Sequence, residues 1–184
     1  MDAAAAMEKL MNGNRQYMDS GKQAGDVSAR IRSYTAEHGQ SPFAVIVACS
    51  DSRVIPEVIF QCGIGDLFVV RVAGNVIDDH QLGSIEYAAD HLGAKLVMVL
   101  GHTHCGAVDA AIHHEPAGYI RYITDDILKA AGEEKDPYRA GCLNVRHSAA
   151  VIEESLTIRK DEADGLKVVG AMYDIESGKV SILD

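Results

Sequence analysis

The chain has 184 residues, 47% hydrophobic and 24% charged, which suits one soluble domain with a sizeable core. Twenty-seven acidic against 17 basic side chains leave a formal net charge of −10. That balance argues against nucleic acid or an anionic membrane as partner, either of which calls for a basic patch, while leaving room for a small neutral or anionic substrate.

From the start, MDAAAAMEKLMNGNRQYM interrupts its alanines with Glu8, Lys9 and Arg15 and lacks the apolar stretch of a signal peptide. The longest apolar runs, such as FAVIVAC at 43–49, are too short to span a bilayer. The expected location is therefore the cytoplasm, where four cysteines serve as thiols or metal ligands rather than as a disulfide framework.

Met7, Leu10, Met11 and Tyr17 lie at helical spacing and predict a helix over 3–19. A break at 20–26 holds Gly21 and Gly25, and 27–38 can form a second helix. FAVIVAC then has the β-branched, unbroken apolar pattern of a strand buried on both faces. LFVVRV at 67–72 repeats it before the turn-prone Ala73-Gly74-Asn75. Leu82, Ile85, Ala88, Ala89 and Leu92 mark one face of a helix closed by Gly93. KLVMVLGH at 95–102 is a third buried strand.

After Cys105-Gly106 the pattern turns helical, with breaks at 113–117 and 132–137. Cys142, Val145, Ala149, Ile152 and Leu156 predict one apolar stripe on a helix of about 138–158. LKVVGAMYD at 166–174 and KVSIL at 179–183, joined through Glu176-Ser177-Gly178, predict a closing hairpin. Strands alternating with helices imply an α/β fold. Its central sheet is mainly parallel, with an antiparallel edge strand and flanking helices. The whole chain reads as one domain, with residues 1–38 as an N-terminal helical arm and 39–184 as the core.

Ligands of such sheets sit at the carboxyl ends of strands, and both chemistry-bearing motifs fall there. The first strand runs into Cys49-Ser50-Asp51-Ser52-Arg53 and the third into Gly101-His102-Thr103-His104-Cys105-Gly106. Neighbouring parallel strands bring Cys49, His102 and Cys105 to one point. Two thiolates and an imidazole suit zinc, and three protein ligands leave a fourth tetrahedral position open for chemistry. A cysteine at a buried strand end is alone just a small apolar residue; it is the pairing of the two motifs that turns the reading to metal. Asp51 and Arg53, two apart on an extended segment, point the same way and can pair. Beside a metal, such a pair orients and accepts hydrogen bonds; elsewhere it is a surface ion pair of little value.

With these residues in view, the sequence resembles the β-class carbonic anhydrases. The likeness runs through Cys-x-Asp-x-Arg and His-x-x-Cys, 53 residues apart between Cys49 and His102, and through GDLFVVRVAGN, LGSIEYAADHLG, GHTHCGAV, NVRHS and the closing GLKVVGAMYDIESGKV. The resemblance implies a zinc enzyme that reversibly hydrates carbon dioxide to bicarbonate. Cys49, His102 and Cys105 would be the metal ligands and Asp51 and Arg53 the catalytic dyad. In a closed form Asp51 would leave Arg53 and become the fourth ligand. Gln40 would bind substrate at a site shared across a homodimer, Phe68 and Tyr87 would line an apolar pocket, and the backbone of Gly106 would border the substrate. By spacing alone Phe68 and Tyr87 read as core and Gln40 as a loop residue.

Ala73-Gly74 departs from plant-like members, which leaves the pocket's shape open. His104 reads as a solvated side chain with a proton shuttle as the alternative. His113 and His114 read as surface residues, and Cys62 and Cys142 as core. The same resemblance implies that the helix at 3–19, with little to bury against in so small a domain, embraces a second subunit, so that a homodimer or an assembly of dimers is the working unit. Two rival functions share these features: hydrolysis of carbonyl sulfide or carbon disulfide on the same fold, and a non-catalytic zinc- or bicarbonate-binding module.

Overall fold

The structure, a computed structural model, describes residues 1–20, 25–114 and 118–183. The breaks read at 20–26 and 113–117 lie partly outside the described residues. Among those described, five strands form one mixed sheet in the order β2-β1-β3-β4-β5. They are β1 (Ala44–Ala48), β2 (Leu67–Arg71), β3 (Leu96–His102), β4 (Lys167–Tyr173) and β5 (Val180–Leu183). The first four run parallel, and β5 returns antiparallel to β4 as the predicted hairpin.

Strands β1 and β3 are buried along their whole length, which is why they read as unbroken apolar runs rather than alternating ones. Their alternate residues feed two cores. Ala44, Ile46, Leu96, Met98 and Leu100 face one side. Val45, Val47, Val97 and Val99 face the other, with Ile85, Val145, Ile152 and Ile158 from the covering helices.

The helices are α1 (Ala3–Ser20), α2 (Ala29–His38), α3 (Pro56–Ile59), α4 (Asp79–Glu86), α5 (Gly106–Ile112), α6 (Ile120–Ala131), α7 (Pro137–Glu154) and α8 (Leu156–Ala163). Asp78 and Gln81 close a reciprocal capping box at the start of α4. The helix predicted through Leu92 runs on from α4 as a π-helical turn over Tyr87–His91. None of the described helices is long and apolar enough to cross a membrane.

Two expectations are corrected. The helix predicted over 138–158 is two: Ser155 adopts an extended conformation, ends α7 and caps α8 by accepting from Ile158 N–H. Leu156 accordingly leaves the stripe and is 82% exposed. Secondly, α1 has a full burial site within its own chain. Ala6 and Leu10 are completely buried in the core of one sheet face, with Met7, Met11 and Tyr17 packed around them. Asn14 ties α1 to the hairpin turn, donating to Gly178 O (2.8 Å) and accepting from Val180 N–H (2.9 Å). It is α2 that carries no buried residue.

Helix α7 lies close on the sheet because two facing strand residues lack side chains. A Cβ at Gly101 would come within 2.5 Å of Val145 Cγ2, and one at Gly170 within 2.9 Å of Val145 Cγ1. This close approach carries the first half of α7 towards the carboxyl edge of the sheet.

The burial of α1 gives a direct test. Leu10→Ala should destabilise the protein by about 2–5 kcal/mol in denaturant unfolding, the usual range for emptying a core leucine site. A loss under about 0.5 kcal/mol, typical of surface changes, would return α1 to the status of a peripheral arm.

Candidate metal centre

Strand β1 connects outward to β2 on one side, while β3 lies on its other side. The gap between β1 and β3 is thus the point where strand order reverses, the usual ligand crevice of such sheets. Ala48 pairs with Leu100 in the β1–β3 register, so Cys49 and His102 emerge together at that edge. Cys105 returns to the same place through a tight turn in which His104 takes a left-handed conformation (φ 56°). The ligand atoms of Cys49, His102 and Cys105 all lie within 4.8 Å of one another, and all three residues are buried.

The imidazole is prepared as a ligand. Its Nδ1 lies 2.8 Å from Thr103 O; since a carbonyl only accepts, the proton sits on Nδ1 and the lone pair on Nε2. Nε2 is buried with no hydrogen-bond partner among the described residues, an orphan that a cation in the crevice would satisfy. Thr103 is itself anchored to the hairpin, donating its N–H to Tyr173 O and accepting at Oγ1 from Ile175 N–H, both 3.0 Å.

The two thiols, their sulfurs within 4.8 Å of one another, shift each other in opposite directions. Hydrogen bonding from Cys105 drives the Cys49 thiol far below the usual range, assisted by Gly74 N–H (3.3 Å from Cys49 Sγ) and opposed by burial. The same contact and burial drive Cys105 upward. A divalent cation bound here would be held by these sulfurs in their deprotonated form. Two sulfurs and one nitrogen are a donor set that suits zinc and fills three of four tetrahedral positions. The other two cysteines are buried core positions, as expected. Burial pushes the Cys62 thiol up to about 12 and raises that of Cys142 as well.

Asp51 and Arg53 do pair, but through a turn rather than along an extended strand. Asp51 Oδ1 accepts from the backbone N–H of Arg53 at 2.9 Å, an Asx-turn. The guanidinium then grips the carboxylate at both oxygens, Nε to Oδ1 at 2.9 Å and Nη2 to Oδ2 at 2.7 Å. The hydrogen bond from Arg53 holds the Asp51 carboxyl well below the usual carboxylate range. Since its folded value is depressed, the ion pair is intact above about pH 4 and is lost only on acidification through the lowered value. Arg53 Nη2 also donates to His104 O (3.1 Å), joining the two motifs.

Of the remaining expected residues, Phe68 is half-buried on β2 and Tyr87 opens the π-helical turn, their ring centroids 6.2 Å apart. Gly106 is exposed as the first residue of α5. Gln40 is exposed in the connection between α2 and β1. His104, His113 and His114 are exposed. Two contributors went unread in the sequence. Arg71 donates to Cys49 O (3.0 Å) and to Asp51 O (2.7 Å); its only signal is a charge closing an apolar strand. The other is Gly74, whose signal is a glycine in a turn-prone triplet.

Fold and site together define a class: an α/β protein with an open Cys–His–Cys metal-binding group at the switch point of a mainly parallel sheet. Residues 44–180 match the family model described as carbonic anhydrase. Carbonic anhydrase 2 of Mycobacterium tuberculosis is 38% identical, over 98% of this chain and 92% of that protein. The crystal structure of a β-carbonic anhydrase of Aspergillus fumigatus superposes with a TM-score of 0.79 at 26% identity, covering 98% of this chain and 90% of that one. Tetrameric β-carbonic anhydrases of Sordaria macrospora give 0.77 at 26% identity, with 98% and 94% covered. The chain belongs to the carbonic anhydrase family, in its β class, and is an enzyme of that family.

Metal analysis tests the cluster. About one divalent ion should be found per chain, and Cys105→Ser should hold little or none, since hydroxyl oxygen is a poor substitute for thiolate. Full metal occupancy in Cys105→Ser protein would dissolve the assignment.

Proposed function

We propose that this enzyme carries out the reversible hydration of carbon dioxide, to bicarbonate and a proton, with zinc held by Cys49, His102 and Cys105. The observation that carries the reading is the convergence of three buried ligand atoms, those of Cys49, His102 and Cys105, within 4.8 Å of one another, with His102 Nε2 lacking a hydrogen-bond partner among the described residues. Zinc in such a set supplies Lewis acidity, which makes hydroxide available near neutral pH.

The chain's own residues do the rest. Asp51, kept ionised and oriented by Arg53, accepts the hydrogen bond of the attacking oxygen and so aims a lone pair at the carbon of the substrate. With both carboxylate oxygens engaged by Arg53, Asp51 acts here as an orienting base rather than as a fourth ligand. Phe68 and Tyr87 offer an apolar wall for carbon dioxide. Gln40 and the backbone at Gly106 steady the oxygens that gain charge. Asp51→Asn should therefore retain metal while hydration slows by about 10–100-fold, the usual cost of removing such a partner. Stopped-flow assay of metal-loaded Asp51→Asn protein at near-wild-type turnover would reduce the pair to an ordinary salt bridge.

The working unit is read as a two-fold dimer. Tyr87 is 46% exposed in the single chain and Gln40 lies free on its surface, so a second subunit is what would enclose the pocket. The supporting surface is apolar: Val27, Ile55 and Ile64 are exposed around a groove of about 400 Å³ floored by Val58, Cys62 and Leu67. The unburied helix α2 follows directly on Val27. Ile64→Asp is expected to shift the protein toward monomer in light scattering and to lower activity with it. A fully active monomeric wild type would defeat the shared-site reading. A reducing compartment, the cytoplasm, is inferred from four buried cysteines that form no disulfide among the described residues.

A further inference from the structure

The turn beside the metal group, Ala73–Asn75, holds two successive residues in the left-handed region, Gly74 at φ 68° and Asn75 at φ 46°. Such a conformation is unstrained for glycine but costs energy at asparagine, and persists only where its surroundings enforce it. The enforcement comes from α7. Asn144 Nδ2 donates to Gly74 O at 2.7 Å, and Ser148 Oγ, one helical turn on, donates to Asn75 O at 3.0 Å. Both side chains are almost wholly buried, Asn144 at 1% and Ser148 at 2% exposure. From the opposite side the turn is pressed by α5 and α6: a Cβ on Gly74 would lie 2.8 Å from Ile127 Cδ1 and 3.2 Å from Ala107 Cβ. The residue so fixed, Gly74, is the one whose N–H points at Cys49 Sγ.

We propose that Asn144, assisted by Ser148, is a positioning residue for the metal ligand Cys49, acting through the backbone of Gly74. The inference rests on the zinc reading above. Asn144 holds the Gly74 carbonyl, the carbonyl fixes the turn, and the turn keeps one N–H aimed at the thiolate. A hydrogen bond on a ligating sulfur orients it and withdraws electron density from it, and outer partners of this kind are typically worth about 10–100-fold in metal affinity. A purely structural account leaves Asn144 costly. Its Oδ1 has no partner among the described residues, so burying the amide is only partly compensated, and its single bond goes to this turn.

The test uses the full-length protein, with zinc affinity measured by chelator competition and with the thiolate-to-metal charge-transfer band of the cobalt(II)-substituted form. Asn144→Ala should weaken zinc binding by about 10–100-fold and move the band to lower energy, because a thiolate without its hydrogen bond is the easier electron donor. Ile152→Ala is the control: Ile152 is fully buried two turns further along α7, and its loss should lower stability while leaving affinity and band unchanged. Wild-type affinity and an unshifted band in Asn144→Ala, or equal shifts in Ile152→Ala, overturn the proposal. If Asn144→Ala does not fold, Ser148→Ala decides by the same readouts: a smaller shift in the same direction supports the proposal and no shift overturns it. A wild-type protein that takes up neither zinc nor cobalt would overturn the zinc reading itself, and this inference with it.

Discussion

The parallel pairing of β1 with β3 is the constraint on which the site depends. Cys49 and His102 stand 53 residues apart in the chain, and they meet because Ala48 is in register with Leu100 at the carboxyl edge. A slip of one residue would turn every side chain of a strand to the opposite face. The register is protected by burial on both faces, with Ile46 and Met98 in one core and Val47 and Val99 in the other. Two cores therefore hold one metal-binding geometry, and neither core contains a residue that does chemistry.

Around that edge the backbone is held from several directions at once. Arg71 ties the carbonyls of Cys49 and Asp51, Arg53 ties Asp51 to the carbonyl of His104, and Thr103 ties the His102 turn to the hairpin. The chain is acidic overall, yet the side-chain donors that hold Cys49 and Asp51 of the first motif are guanidinium groups. Arginine suits this role because its planar fork reaches two acceptors while remaining charged. Local left-handed residues, His104 on one loop and Asn75 on the other, are the strain such a network supports.

The helical layer has a similar division of labour. Helix α1 is part of the core, with Leu10 and Asn14 fixed in the chain's own sheet face and hairpin turn. Helix α2, by contrast, has no fully buried residue. This corrects the expectation that α1 has little to bury against within its own domain, and the reason is geometric. Covering a five-stranded sheet needs helices on both faces, and α1 joins α3 of the β1–β2 crossover on the face opposite α4, α7 and α8.

Much of this was legible in the sequence by itself. Unbroken apolar runs identified β1 and β3 because strands buried on both faces have no polar side to show, and similar runs marked the partly buried β2 and β4. The spacing of Cys49, Asp51 and Arg53 and of His102 and Cys105 identified the metal group, because metal chemistry restricts ligands to a few residue types at strand ends. Only the tertiary structure decided the rest. That the dyad forms through an Asx-turn, that α7 stops at Ser155, and that Arg71, Gly74 and Asn144 serve the site are matters of where backbone groups point. A hydrogen bond such as Asn144 to Gly74, between residues 70 positions apart, has no periodicity or motif to announce it. It exists because glycines at 101 and 170 let α7 settle close on the sheet, and distances of that kind are set by packing.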